Sequence, residues 1–142
     1  MKQQILPSVM AKNQKELDKI FSKLNGEVKH LHLDVVDGKF VNNKVLDFDF
    51  KLRKYFTYNA HLMMKNPEKW VRKYIRRIDL IIPHFEEIKN VKKYIDFMRS
   101  KNKKVAFALK PETKFKEIKL FLKEVDVVLI LTVHPGFYGA KF

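Results

Sequence analysis

Short apolar runs alternate along the chain with amphipathic segments rich in lysine. Leu17, Phe21 and Leu24 recur at the spacing of one helix face, and the other amphipathic segments show the same period. Helices are predicted at 14–24, 47–55, 67–77, 87–100 and 114–122. Strands are predicted at 4–8, 28–36, 57–63, 79–84, 103–109 and 125–132. Strands that alternate with helices form βαβ units around a parallel sheet, so we predict an α/β fold in a single domain spanning residues 1–142.

Two architectures fit this order of elements: an open doubly wound sheet and part of a (β/α)8 barrel. A dinucleotide-binding sheet carries a glycine-rich loop after its first strand, whereas the segment 5–10 contains no glycine. Barrel enzymes collect their catalytic groups where successive strands end, and this pattern is present here. The polar or otherwise chemically useful residues at strand ends are Ser8, His32, Asp34, His61, His84, Glu86, Lys110 and the pair Pro135-Gly136. The pattern therefore favours a barrel.

His32 and Asp34 stand two residues apart in an otherwise apolar run. Residues i and i+2 of a strand project from the same face, so an imidazole and a carboxylate converge there. A buried carboxylate beside an imidazole needs a compensating partner, and a divalent cation is an effective one. His61 ends another apolar run, and either histidine alone is also consistent with a structural role in the core. Taken together, the three residues predict a metal or proton-transfer site.

The chain contains no cysteine, which excludes disulfides and thiolate ligands. A metal would bind through His, Asp or Glu, and this donor set favours zinc, manganese or iron. No apolar segment has the length of a membrane span, and the N-terminus does not resemble a signal peptide. We therefore expect a cytoplasmic protein with no membrane partner.

The formal net charge of +14 raises the question of nucleic-acid binding. Only five of the 30 basic residues are arginines, and the lysines are dispersed along the predicted helices. Arginine is the residue suited to bidentate recognition of phosphates and bases, so dispersed lysines indicate solvated helix faces. We expect incidental attraction to polyanions and no specific nucleic-acid partner.

Six short motifs, in this order, resemble the ribulose-phosphate 3-epimerase family. They are Leu6-Pro7-Ser8, the run His32 to Val41, His61-Leu62-Met63, His84-Phe85-Glu86, Lys110-Pro111-Glu112-Thr113 and Leu131 to Phe137. The resemblance implies a (β/α)8 TIM-barrel fold and an isomerase of carbohydrate metabolism. Such an enzyme interconverts ribulose 5-phosphate and xylulose 5-phosphate through an enediolate, with a metal and a base on each face of the intermediate.

The resemblance also assigns roles to individual residues. It implies that His32, Asp34 and His61 bind a divalent metal (zinc, iron or manganese) and that Asp34 is one of two catalytic carboxylates. The residues that it places against the ketose phosphate substrate are Ser8, His61, Met63, Gly136, Phe137, Tyr138 and Gly139. His84 and Glu86 either orient the ligand residues or lie solvated at the rim of the barrel.

The chain departs from the family pattern at several positions. Tyr138 and Ala140 replace a glycine and a glutamine in the closing loop, while Val36 and Asn42 replace a methionine and a proline. The chain resembles about the first six βα units, so the fold is expected to be an incomplete barrel without the last two units. The second catalytic aspartate, a fourth metal ligand and most of the phosphate-binding backbone would lie in those units.

These departures leave several expectations open. The isolated chain is expected to be an impaired epimerase, completed by a further polypeptide or by formation of a homo-oligomer. Its substrate is ribulose 5-phosphate or another ketose phosphate such as allulose 6-phosphate. The alternative is a non-catalytic remnant that binds a metal or a sugar phosphate, or half of a larger assembly.

Overall fold

The computed structural model describes residues 5–136. Its strands are β1 (Ser8–Val9), β2 (His30–Asp37), β3 (Lys44–Val45), β4 (Thr57–Met63), β5 (Leu80–Pro83), β6 (Ala106–Leu109) and β7 (Val127–Ile130). Its α-helices are α1 (Gln14–Leu24), α2 (Glu68–Tyr74), α3 (Val91–Ser100) and α4 (Phe115–Ile118). Short 3-10 helices cover Phe85–Glu87 and Lys119–Glu124.

Six of the strands run parallel and lie side by side in chain order. β1 pairs with β2, β2 with β4, and β4 with β5. A single parallel bridge between His84 and Ala108 joins this sheet to the β6–β7 pair. Neighbouring parallel strands in chain order, connected mostly by helices, are typical of a (β/α)8 barrel. The prediction of an α/β fold of this type with six parallel strands is confirmed.

The predicted helix at 47–55 is wrong. β3 ends before this segment, at Val45, and pairs antiparallel with the end of β2; residues 47–55 form an irregular segment that leads to β4. The residues alternate Asp-Phe-Asp-Phe from Asp47, which is the period of an extended chain. Phe50 is buried and its ring stacks on Tyr74 with centroids 4.8 Å apart, while Asp49 remains outside and pairs with Lys73. Tertiary packing on α2 therefore decides the conformation of this segment.

Other elements differ from prediction mainly at their ends. The first strand begins at Ser8 instead of residue 4, and the carbonyl oxygen of Pro7 accepts a hydrogen bond from His32 N at 2.9 Å. Proline has no N–H to donate, so it stands at the start of the pairing. The last predicted helix is divided between α4 and the 3-10 helix Lys119–Glu124. The bounds of α1 and β4 agree with prediction.

Helices pack on one face of the parallel sheet and bury alternate strand residues. On β2, Leu31, Leu33 and Val35 are fully buried in the main hydrophobic cluster together with Leu17 and Phe21 of α1. His32 and Asp34 occupy the alternate positions of β2 and remain partly exposed. Burial of the apolar face thus holds the polar face of the strand in a fixed orientation. No helix within residues 5–136 is long and apolar enough to cross a membrane.

Candidate metal centre

Two neighbouring strands bring the predicted site residues together. In the parallel ladder between β2 and β4, Asp34 is directly opposite His61. His32 lies two positions before Asp34 and therefore projects from the same face of β2. The paired register and the two-residue period together place two imidazoles and one carboxylate at a single point.

The distances within this group are short. Asp34 Oδ1 lies 3.5 Å from His32 Nε2 and 3.2 Å from His61 Nδ1. One ligand atom from each residue can be chosen so that all three lie within 4.8 Å of one another. Two imidazole nitrogens and a carboxylate oxygen form a donor set that suits zinc, manganese or iron. The predicted group is therefore assembled, and its residues fit a divalent metal.

The carboxylate of Asp34 is held in its ionised form. Its second oxygen, Oδ2, accepts a hydrogen bond from the hydroxyl of Ser8, which is exposed on β1. Burial raises the pKa of Asp34, but the two neighbouring histidines and the Ser8 hydroxyl outweigh this effect, so that the pKa lies well below its usual value. The structure thus places Ser8 against the candidate ligand Asp34.

His61 lies at the inner side of the group. Its residue surface is 4% exposed, and burial lowers its pKa because desolvation disfavours the imidazolium form. Its Nδ1 faces Asp34, while its Nε2 lies 2.9 Å from Nε2 of His84. The distance of 3.2 Å between His61 Nδ1 and Asp34 Oδ1 suits a hydrogen bond between them. It equally suits two ligand atoms that both bind one cation. The position of the proton on His61 decides between these two arrangements.

His84 and Glu86 form the next layer of contacts behind His61. His84 is fully buried, and its Nδ1 lies 3.2 Å from Oε2 of Glu86. The other oxygen, Oε1, accepts hydrogen bonds from Lys110 N at 2.9 Å and from the hydroxyl of Thr113. Burial raises the pKa of Glu86, but these hydrogen bonds outweigh it and lower the pKa to about 2. His84 is therefore in the interior and not solvated at the rim.

A cleft of about 140 Å³ opens beside the candidate ligands. Asp34, His61, Met63 and Gly136 contribute to its wall, so four of the predicted site residues share one cavity. The rest of the wall within the described residues consists of Met10, Leu131, Val133, His134 and Pro135. The predicted loop residues Phe137, Tyr138 and Gly139 lie outside the described residues.

Gly136 is held close to the loop between β2 and β3. Its φ of +105° lies in the region that favours glycine, and a Cβ at this position would stand 2.3 Å from Cγ2 of Val41. The side chain of Asn43 donates a hydrogen bond to the Gly136 carbonyl oxygen at 2.6 Å. Glycine at position 136 thus lets the segment after β7 approach the mouth of the cleft.

Sequence reasoning did not identify the roles of Phe40 and Asn43. The Phe40 ring packs on the His84 ring with centroids 4.5 Å apart, and Asn43 bonds the Gly136 segment. Neither contact carries a sequence signal, because each joins a loop to a distant strand end. Asp37 shapes the turn after β2, since its side chain accepts hydrogen bonds from the backbone N–H groups of Lys39 and Phe40.

Comparison with known proteins shows which family the chain belongs to. Residues 4–142 match the family model described as "Ribulose-phosphate 3 epimerase family". The chain belongs to the ribulose-phosphate 3-epimerase family. The match covers every motif on which the sequence resemblance rests.

Similar members of the epimerase family come from several organisms. The ribulose-phosphate 3-epimerase of Eremothecium gossypii is 30% identical to this chain over an alignment of 156 residues including gaps. The alignment covers 97% of the chain and 65% of the relative. The enzyme of Chlamydia trachomatis is 33% identical over 118 residues, covering 79% of the chain and 50% of the relative. The enzyme of Aquifex aeolicus is 29% identical over 130 residues, covering 88% of the chain and 59% of the relative.

The matches thus extend over most of this chain but over only about one half to two thirds of the length of these epimerases. His32, Asp34 and His61 all lie within the part that matches the family model.

Proposed function

We propose that this chain provides the metal centre and one acid/base carboxylate of a sugar-phosphate 3-epimerase. The reaction would interconvert ribulose 5-phosphate and xylulose 5-phosphate. The observation that carries the proposal is the convergence of His32, Asp34 and His61 beside a cleft, in a chain of this family. Ser8, Met63 and Gly136 would contact the substrate, together with Phe137, Tyr138 and Gly139 of the following segment.

His32, Asp34 and His61 would hold the divalent metal, and zinc, iron or manganese each suits their donor atoms. When bound, the metal supplies a Lewis acid that polarises the substrate carbonyl and stabilises negative charge on its oxygen. The fully buried Leu33 and Leu62, adjacent to the ligand residues along their strands, fix the backbone that carries them.

Asp34 would act as the acid/base group on one face of the substrate. A carboxylate that stays ionised can accept the proton from C3, the carbon next to the carbonyl, while the electron pair of the C–H bond moves to the carbonyl oxygen. Return of a proton to the opposite face of C3 completes the inversion. The Ser8 hydroxyl, bonded to Oδ2, would keep the carboxylate oriented during both steps.

Inversion requires a second acid/base group on the opposite face. Among the described residues that line the cleft, Asp34 is the one carboxylate. We propose that a further polypeptide segment completes the site, from the same protein, from a second copy of the chain or from another chain. By itself, the 142-residue polypeptide would then exchange the C3 proton on one face and invert C3 slowly.

Exchange of the C3 proton with solvent tests the role of Asp34. The chain is incubated with a divalent metal and ribulose 5-phosphate in deuterium oxide, and deuterium at C3 is followed by NMR. We expect Asp34→Asn to slow the exchange about 100- to 10,000-fold, the usual contribution of a general base. The control is Asp96→Asn, which changes an exposed carboxylate on α3 and should leave the rate unaltered.

The experiment also separates the two candidate functions. Absence of deuterium incorporation by the chain, with the metal bound, would contradict the epimerase proposal. That result would favour a non-catalytic domain that binds a metal or a sugar phosphate, a candidate supported by the single carboxylate that residues 5–136 contribute to the cleft wall. Replacement of ribulose 5-phosphate by allulose 6-phosphate in the same assay would show which ketose phosphate is preferred.

A further inference from the structure

Four side chains form a continuous line of contacts from the interior to the candidate metal centre. Glu86 Oε2 lies 3.2 Å from His84 Nδ1, His84 Nε2 lies 2.9 Å from His61 Nε2, and His61 Nδ1 lies 3.2 Å from Asp34 Oδ1. His84 is fully buried and His61 is 4% exposed, so both imidazoles satisfy their nitrogens mainly through these neighbours.

Glu86 fixes the direction of the first hydrogen bond. An ionised carboxylate can only accept, and both of its oxygens are in use: Oε1 takes the N–H of Lys110 and the hydroxyl of Thr113. The oxygen that faces His84 therefore accepts as well, and the proton of that contact belongs to His84 Nδ1. The backbone N–H of Lys110 cannot reverse its role, so the orientation of the Glu86 carboxyl group is built into the fold.

The proton position of His61 depends in turn on that of His84. A neutral His84 with its proton on Nδ1 has a lone pair on Nε2, and this lone pair faces His61 Nε2. When Asp34 and His61 bind a cation, His61 then carries its proton on Nε2 and keeps a lone pair on Nδ1; without a cation, the ionised Asp34 competes for a proton on His61 Nδ1. The Phe40 ring covers His84 with centroids 4.5 Å apart, and His84 is 0% exposed, so its nitrogens meet these side chains and not solvent.

We infer that Glu86, acting through His84, sets the proton position of His61 and so presents His61 Nδ1 as a lone-pair donor to a divalent cation. Both are positioning residues, since neither lies in the group of candidate ligands. In this state the lone pair of Nδ1 and the Asp34 carboxylate face each other at 3.2 Å, an arrangement that a cation stabilises. The inference rests on the metal centre of the proposed function and deepens it.

A single isosteric change can reverse the line of donors. In Glu86→Gln, the side-chain oxygen remains where Lys110 N–H donates, so the NH₂ group takes the place that faces His84 Nδ1. His84 must then carry its proton on Nε2, which places the proton of His61 on Nδ1. The matched control is Glu87→Gln, which removes the same charge one residue later from a side chain that contacts Lys65 and Lys110.

Two measurements follow the change. Nitrogen-15 NMR of the histidine rings, at a pH well above the ordinary histidine pKa of about 6.5, reports which nitrogen carries each proton. In the original chain with zinc bound, we expect protons on His61 Nε2 and His84 Nδ1, and we expect the proton of His84 on Nδ1 in the metal-free chain as well. Titration of the metal-free chain with zinc reports affinity, and we expect Glu86→Gln to raise Kd about 10- to 100-fold. Glu87→Gln should leave both readouts unaltered.

The possible outcomes separate this inference from the proposed function. A proton on His61 Nδ1 in the zinc-bound original chain, or on His84 Nε2 with or without zinc, would overturn the inference, and neither measurement requires a variant to fold. Equal loss of zinc affinity in Glu86→Gln and Glu87→Gln would also overturn it, because loss of charge alone would explain both. If the original chain does not bind zinc, the proposed metal centre fails, while a proton on His84 Nε2 in the metal-free chain would still overturn the inference.

Discussion

The β2–β4 and β6–β7 strand pairs are both parallel and apolar, yet they differ sharply in how they are packed. β2 and β4 pair over seven register positions, and Leu33 and Leu62 at their centre are fully buried. β6 and β7 pair over four positions; every residue of β6 is buried, whereas no residue of β7 is. Ile130 at the end of β7 is 71% exposed. An apolar strand sequence alone therefore does not determine burial, because the neighbours of the strand decide it.

The candidate metal centre lies on the better-packed pair. Its ligand residues alternate with buried leucines along β2 and β4, so movement of a ligand side chain would disturb the core. Binding and catalytic groups need to be held to within about 0.5 Å, and rigid packed elements provide this. The comparison thus explains why this site lies on β2 and β4.

The largest expected contrast is in stability. Leu62→Ala, on β4, should lower the free energy of unfolding by about 2–5 kcal/mol, because it leaves a cavity in a close-packed region. Leu120→Ala, in the 3-10 helix before β7, should change it by less than about 0.5 kcal/mol, since Leu120 is 84% exposed. Urea unfolding followed by circular dichroism measures both. Equal losses would show that the two regions are packed alike.

Acid unfolding should show the contribution of Glu86. Its pKa is about 2 in the folded chain and 4.5 ordinarily. A lowered pKa stabilises the fold above the unfolded value, so this stability is present above pH 4.5 and is lost as the pH falls towards 2. We expect a change of about 2–3 kcal/mol across this window, absent in Glu86→Gln. Urea unfolding at several pH values measures the free energy of unfolding. If this free energy depended on pH in Glu86→Gln as it does in the original chain, the expectation would be contradicted.

Metal should stabilise the β2–β4 region selectively. Zinc at about 100 times its Kd would add about 2.7 kcal/mol, because it binds the folded chain only. His61→Ala should abolish this increment. His30→Ala is the control, since His30 lies on the same face of β2 but contacts Thr57 instead of the ligand group. Thermal unfolding with zinc and with a chelator compares the variants, and an equal increment in His61→Ala would argue against the site.

The smallest effect is expected at the ion pair next to β7. Lys92 of α3 lies 2.6 Å from Glu124, and both side chains are largely exposed. Lys92→Ala should therefore cost less than about 1 kcal/mol, and the cost should shrink in high salt. Urea unfolding at two salt concentrations measures it. A larger loss that salt does not alter would mean that this region is more firmly packed than its exposure indicates.

Local pattern predicted those parts of the fold in which one periodicity dominates. The helical spacing of Leu17, Phe21 and Leu24 predicted α1 with the bounds that the structure shows. The segment 47–55 was predicted incorrectly because the burial of Phe50 against Tyr74 depends on a helix that lies further along the chain. Strand alternation predicted that His32 and Asp34 share a face. It could not predict the contact of His61 with His84, since that contact depends on the register between β4 and β5 and on two side-chain rotamers.

The pairing of Asp34 with His61 across the β2–β4 ladder has a consequence for how the chain folds. A slip of the ladder by a single residue would turn one of the two side chains to the helix-covered face and separate the donor atoms. Affinity for zinc therefore reports whether β2 and β4 pair in the correct register. A molecule with the wrong register would lose its zinc affinity even with its secondary structure intact. Retention on an immobilised zinc column would then sort correctly folded molecules from misfolded ones of the same sequence.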